Sequence, residues 1–362
     1  MKIVSMRLAL LRAPLRVPFR TALRETSHIE DMIIELTDES GAVGRGEAPP
    51  TAAITGETLG SIEAALRGHI GPALLGRRFD SMDEALSAIS GSIVGNSSAR
   101  AAAEMALWDI YAQNCGLPLY RLWGGGMGRL TTDITISVNA PETMAEDTAY
   151  AVSAGYDTLK IKVGENPELD LARLRAVRSA APEATIRIDA NQAWTPRMAV
   201  RLLEKMQSEG LGIELVEQPV KARDIDGLQF VTANSPVPVM ADESMFSPQD
   251  AVNIMQRHAA DYVNIKLMKC GGPANALRII SAAEIYGIEC MIGCMLEANV
   301  SVSAAVHLAC AKSAITRVDL DGPALCSSNP VRGGAKFSGK LIELSDAPGL
   351  GISSIDGLEY LD

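Results

Sequence analysis

Two lysines one residue apart, Lys160 and Lys162, lie in the run Leu159-Lys160-Ile161-Lys162-Val163-Gly164. The run is short, apolar at alternate positions and bounded by Gly155 and Gly164, so it reads as a buried β-strand. Successive side chains on a strand face opposite ways, which places both ammonium groups on one face. Buried charge of one sign must be paired or neutralised. The partners follow at regular spacing. Asp189 ends Arg187-Ile188-Asp189, with Asn191 on the same face; Glu217 ends Glu214-Leu215-Val216-Glu217; Asp242 takes the same late position after Met240-Ala241. Three carboxylates at the ends of three consecutive strands repel one another unless a cation holds them. Oxygen ligands without His or Cys favour a hard ion, Mg²⁺ before Mn²⁺ or Ca²⁺, one per subunit. Glu243 has the opposite parity and belongs behind the ion.

The next strand, Val263-Asn264-Ile265-Lys266, carries Lys266 on the inward face. In a ring of eight strands, those bearing Lys162 and Lys266 are opposite, and the three carboxylate strands fill the arc between them. One lysine then stands on each side of a ligand held at the metal. A carboxylate substrate bound there has a polarised α-carbon, and removing its proton gives an enediolate that the ion stabilises. The acting lysine must be neutral, so its ordinary pKa must fall to roughly 7–8, about 3–4 kcal/mol of environmental work. A proton that leaves one face and returns on the other inverts the centre. That is racemisation or epimerisation. Lys160 suits a charge partner for the substrate carboxylate, and Lys269, of the other parity, a solvated or helix-capping group. In Arg317-Val318-Asp319-Leu320-Asp321, the two aspartates share the inward face of the last strand. They form a second anionic spot, well away from the metal and suited to a ligand ammonium. The alternative is a structural salt bridge with Arg317.

Positioning these groups requires a repeating frame. Strand-like runs at 132–139, 159–163, 186–191, 214–218, 239–243, 262–268, 289–295 and 315–321 alternate with helical segments, as βα units do. Eight of them predict a closed barrel with its site where the strands end. Before them, 3–11, 31–37 and 42–47 read as antiparallel strands with a turn at Glu39-Ser40-Gly41. Helices follow at 61–75, 81–93 and 97–113, each opened by a Ser N-cap. The Gly-, Ser- and Pro-rich tail predicts one or two short strands packing back on the first lobe. The domains expected are 1–125, an α+β cap with specificity loops near 19–28 and 51–57; 126–322, the barrel; and 323–362, the C-terminal segment.

A hydrophobic share of 47% against 21% charged residues describes a globular chain, not a disordered one. A net charge of -11 with no basic block argues against nucleic acid. No apolar run reaches the roughly 20 residues that span a bilayer, and the N-terminus lacks a secretory pattern, so a cytoplasmic protein is expected. Six cysteines form no CxxC pair and read as reduced core thiols. The Gly334–Lys340 run lacks the Ser or Thr that a phosphate loop needs.

Taken together, Lys160-Ile161-Lys162, Asp189-Ala190-Asn191, Glu217-Gln218-Pro219, Asp242-Glu243 and Lys266-Leu267-Met268-Lys269-Cys270-Gly271-Gly272 resemble the enolase superfamily, muconate-lactonizing subgroup. Gly46-Glu47-Ala48-Pro49 and Ala106-Leu107-Trp108-Asp109 are similar to that family's capping domain. The resemblance implies an α/β fold, a modified TIM barrel of (β/α)7β form, capped by the N-terminal third and the tail. Within the subgroup, Asp319 and Asp321 resemble the pair with which dipeptide epimerases hold the substrate's ammonium. Arg24 matches the cap arginine that reads a glutamyl side chain in L-Ala-D/L-Glu epimerases. Thr135 and Cys294, Met295 and Leu296 match substrate contacts. A dipeptide anchored at both ends spans about 7 Å, which leaves its second α-carbon between the lysines.

The family resemblance therefore implies a Mg²⁺-dependent dipeptide epimerase, a homo-oligomer acting in murein-peptide recycling. The rivals are an N-acylamino acid racemase or o-succinylbenzoate synthase, whose substrates lack a free ammonium, and a non-catalytic barrel. The loop 51–55 is expected to act as a lid. Glu297 has no role assigned beyond a structural one, and Cys294 has no base beside it and reads as pocket wall.

Overall fold

The computed structural model describes residues 1–20 and 25–362. Arg24 lies outside the described residues. The chain opens with a long antiparallel pair, β1 (Ile3–Arg20) and β2 (Glu25–Asp38), and β3 (Val43–Ala48) pairs with the far edge of β2. Alternate residues Met32, Ile34 and Leu36 turn one face of this sheet inward, against helices. The contact with the helix Ser97–Asn114 is unusually close. A Cβ at Gly46 would lie 1.9 Å from the Ala102 carbonyl oxygen, and one at Gly44 2.0 Å from that of Ala106. Glycine on the strand and alanine on the helix let two backbones touch, which fixes β3 against the helix.

Three helix starts were expected at serines, and one is found there. Ser81 accepts from Glu84 N at 3.2 Å as an N-cap. The first helix is capped by Thr58, with Ser61 returning the bond; the third follows Asn96, which sits in the left-handed region without a side-chain cap bond, and Glu57 accepts instead from Ser98 N at 2.9 Å and Ala99 N at 3.2 Å. Thr58 offers the same capping hydroxyl as its serine neighbour, and Glu57 reaches the third helix from outside it, so sequence alone does not choose.

After β4 (Arg129–Thr131) the barrel begins. Its strands are β5 (Ile134–Ile136), β6 (Thr158–Lys162), β7 (Thr185–Asp189), β8 (Ile213–Glu217), β9 (Val239–Ala241), β10 (Tyr262–Ile265), β11 (Glu289–Gly293) and β12 (Ile315–Asp319). Each pairs in parallel with the next, with helices between, giving an eight-stranded near-closed barrel of the modified TIM type. Between β12 and β5 the ring is drawn shut by Asp133 N donating to Val318 O at 3.2 Å. Leu215, Met240 and Met291 fill the lower interior.

The tail holds five short strands rather than one or two. Glu359–Leu361 extends the capping sheet beside β1, whereas Leu341–Glu343 pairs with β4 at the base of the barrel. Cys115 is exposed, so the cysteines are not all core thiols; all six are free. No described helix is long and apolar enough to cross a membrane.

Candidate active site

Register brings the site together. Lys162 pairs with Asp189, and Asp189 with Glu217, so these three inward side chains stand on one tier at the strand ends. Asp242 follows β9 and Lys266 follows β10. Lys162 Nζ lies 2.6 Å from Asp189 Oδ2, and Lys266 Nζ 2.8 Å from Asp242 Oδ2. In the strand order, β6 and β10 are separated by three strands either way round, so the two lysines rise from opposite walls.

Lys160 has more partners than its expected task requires. Its buried ammonium lies 2.7 Å from Glu217 Oε2, 2.7 Å from Asp319 Oδ2 and 3.3 Å from Asp189 Oδ2. It is a counter-ion among carboxylates that also lines the pocket. The same contact corrects the placing of Asp319, which is not well away from the carboxylate cluster. One ammonium bridges Asp319 and Glu217, so their oxygens are at most two hydrogen-bond lengths apart. Lys269 is neither solvated nor an end cap. It is buried and bonds Asp242 Oδ1, the Asp242 carbonyl and, at 3.1 Å, Asn264 O. β10 gives way to a helical turn, Leu267–Cys270, and in a helix residues three apart share a side. Asp321 lies beyond β12 and accepts from Thr135 N at 2.7 Å. Arg317 pairs with Glu214 at 3.1 Å and Glu289 at 2.6 Å, not with the aspartates.

Sequence reasoning missed two further positions, whereas Phe19 falls in the specificity loop expected near 19–28. Buried Gln218, at φ 37°, accepts from Asp242 N at 2.9 Å and Ser244 N at 3.1 Å, aiming the loop that carries Asp242. Asn264 donates to Glu217 Oε1 at 2.9 Å; its inward parity between Tyr262 and Lys266 could have revealed it. Phe19 joins Thr51, Ala53 and Ile54 as the cap's side of the pocket, facing Thr135, Lys160, Lys162, Lys266, Asp319 and Asp321. Cys294, Met295, Leu296 and Leu325 form another wall, while Asp189 and Glu217 are buried, bonded to Lys162 and Lys160.

The electrostatics are those of an anion-rich cage. Asp189, Glu217, Asp242, Glu243, Asp319 and Asp321 are buried with Lys160, Lys162, Lys266 and Lys269. With all ten ionised, the carboxylates exceed the ammoniums by two charges. Burial and then the Asp189 charge push Glu217 up to about 7. Burial and Asp242 do the same to Glu243, at about 7. Burial and Asp319 raise Asp321 to about 6. Burial works to raise Asp189 as well, but Lys162 and Lys160 outweigh it and hold that carboxyl at about 2. Burial alone would lower the Lys266 ammonium; the Asp242 charge overcomes it and sets the pKa well above the ordinary lysine value.

A divalent ion fits this set. The ligands are oxygens, the fully ionised set carries a surplus of two negative charges, and Glu243 Oε2 and Asn191 Oδ1 are buried without a hydrogen bond. Among the described residues no three acidic, His or Cys side chains already form a closed cluster, since Lys160, Lys162 and Lys266 stand between them.

A capped parallel barrel with carboxylates on consecutive strand ends and lysines on facing walls defines a class of acid–base enzymes that work on carboxylate substrates. Residues 4–124 match the family described as mandelate racemase / muconate lactonizing enzyme, N-terminal domain, and residues 143–356 match the enolase C-terminal domain-like family. The chain belongs to the mandelate racemase / muconate lactonizing enzyme family of the enolase superfamily. It is 52% identical to an L-Ala-D/L-Glu epimerase of Clostridium acetobutylicum, over 96% of this chain and 97% of that protein. The substrate-liganded L-Ala-D/L-Glu epimerase of Bacillus subtilis superposes with a TM-score of 0.96 at 46% identity, covering 98% of this chain and 99% of that one. The dipeptide epimerase of Enterococcus faecalis, complexed with Mg and L-Leu-L-Tyr, gives 0.94 at 41% identity, covering 98% and 100%.

Proposed function

We propose that the protein is a Mg²⁺-dependent dipeptide epimerase, an isomerase that inverts the α-carbon of the C-terminal residue, of the L-Ala-D/L-Glu type. The observation that carries this reading is the pair of lysines on opposite walls, each bonded to its own carboxylate, Lys162 to Asp189 and Lys266 to Asp242. Asp189, Glu217 and Asp242 would hold the ion. Bound there, Mg²⁺ would supply a Lewis acid that steadies negative charge on the substrate carboxylate and offsets the Asp242 charge that holds Lys266 protonated.

The rest is work for the chain's own side chains. One lysine takes the α-proton from its side, and the other gives a proton from the opposite side, which reverses the configuration. Asp321, raised by its neighbours and beside Asp319, faces the pocket and takes the substrate's ammonium. Thr135, Cys294, Met295 and Leu296 surround the peptide, and Lys160 balances the carboxylates beneath it. Arg24 would read an acidic side chain. In this reading the enzyme acts in the cytoplasm, as a homo-oligomer, on peptides from cell-wall turnover, without nucleic acid or membrane as partner.

The test is a dipeptide library in deuterium oxide with Mg²⁺, read by mass and NMR. Deuterium entering the C-terminal α-position of L-Ala-L-Glu, with L-Ala-D-Glu appearing, is the expected result. Turnover of N-blocked amino acids alone would replace this reading with that of an acylamino acid racemase.

A further inference from the structure

Glu47 is the least exposed acidic side chain of the capping sheet among the described residues, yet nothing in the proton transfer uses it. It reaches out of the cap into the barrel. Its Oε1 accepts from Ala298 N at 2.7 Å; its Oε2 accepts from Val300 N at 3.1 Å, Ser301 N at 2.8 Å and Ser301 Oγ at 3.0 Å. These amides open the thirteen-residue helix Asn299–Ala311, whose own N-cap residue, Ala298, has no side chain to offer. Helix starts leave N–H groups unpaired and attract negative charge. Here a carboxylate from a different part of the fold meets that need.

Two facts connect this contact to the pocket. Immediately before the helix lies the wall Cys294-Met295-Leu296, held from within by Glu297 Oε1, which accepts from Met295 N at 2.6 Å. Immediately after Glu47 the chain runs through Pro49, bonded by Ser98 Oγ at 3.0 Å, to Thr51, Ala53 and Ile54, the cap's side of the same pocket. Gly44 and Gly46 lock β3 to the helix Ser97–Asn114, so the segment that carries Glu47 is itself fixed. Both walls are therefore measured from one residue.

We propose that Glu47 is a positioning residue for side-chain selection: by pinning residues 298–301 to the cap, it sets the gap between the 294–296 wall and the 51–54 wall. The carboxylate does not touch the substrate. Its removal releases the barrel wall from the cap wall and leaves the lysines and their carboxylates in place. The inference rests on reading this pocket as the dipeptide site.

The experiment compares the full-length protein with Glu47→Ala and Glu47→Gln, measuring amide hydrogen exchange by residue and kcat and KM for L-Ala-L-Glu and L-Ala-L-Leu. Exchange should rise about tenfold or more at Ala298, Val300 and Ser301 in Glu47→Ala, the effect of losing a hydrogen bond apiece. The ratio of kcat/KM between the two dipeptides should move by about fivefold or more, chiefly through KM, because a misplaced wall disturbs binding geometry. Glu47→Gln keeps one oxygen acceptor of two, so it should be intermediate in both readings and remains available where the alanine variant does not fold. Faster exchange with an unchanged selectivity ratio would reduce Glu47 to a structural pin and overturn the proposal, as would unchanged exchange. Failure of the parent enzyme to turn over either dipeptide would instead overturn the functional reading, while the exchange data still decide whether Glu47 holds the loop.

Discussion

Lys266 Nζ lies 2.8 Å from Asp242 Oδ2, on the wall facing the one where Lys162 Nζ lies 2.6 Å from Asp189 Oδ2. Each candidate base is thus tied to one of the carboxylates assigned to the ion. Geometry couples the acid–base pair to metal loading.

Replacing Lys162 or Lys266 by Met should lower epimerisation by roughly 10²–10⁴-fold, the usual contribution of a positioned acid or base. Each variant should keep exchange of the α-proton with solvent for one epimer only, since one face retains its base. Polarimetry combined with NMR in deuterium oxide distinguishes this from a single-base scheme, in which one of the two variants would epimerise normally.

Chelation should abolish turnover, with Mg²⁺ restoring it. Mg²⁺ should also raise the unfolding temperature as its concentration rises, contributing about 2.7 kcal/mol at a hundred times its dissociation constant. Thermal scans across a Mg²⁺ titration check this. A flat response would contradict the surplus of two buried negative charges as an ion site.

Asp321→Asn, and more so the double change with Asp319→Asn, should raise KM for free dipeptides by about tenfold or more, because a charge-assisted bond to the ammonium is lost. The penalty should shrink for N-acetylated substrates. Steady-state kinetics on the matched pair measures it; an equal loss on both would assign the aspartates to holding Lys160 instead.

How much of this was legible depends on where the strands stop. Alternation places Lys160, Lys162, Asp189 and Glu217 correctly on one face because β6, β7 and β8 run in register. Past Ile265 the backbone turns helical, and counting by two sends Lys269 outward although it bonds Asp242 from inside. The separation of Asp319 from the carboxylates was misjudged for another reason. Parity gives a side chain its face but not its reach, and a lysine is long enough to join three strands. Glu47 was legible only as part of a motif, since its partners lie some 250 positions away in sequence, at helix-start amides that no local pattern reveals.

Acid stability should report on His307. Its Nδ1 accepts from Tyr120 N at 3.0 Å, and burial lowers its pKa from 6.5 to about 4. The folded ring stays neutral where the unfolded one takes a proton, so this contribution is complete above about pH 6.5 and is lost as pH falls toward 4. Between pH 7 and 4.5 the parent should lose about 2–3 kcal/mol relative to His307→Gln. Urea unfolding of both proteins across that range checks the sign and the size.

The most direct test of the central claim is a crystal structure with Mg²⁺ and L-Ala-D-Glu. The expected result is an ion on Asp189, Glu217 and Asp242 that also touches the substrate carboxylate, with Lys162 and Lys266 on opposite sides of the glutamyl α-carbon. An ion held elsewhere, or both ammonium groups on one side of that carbon, would contradict the account.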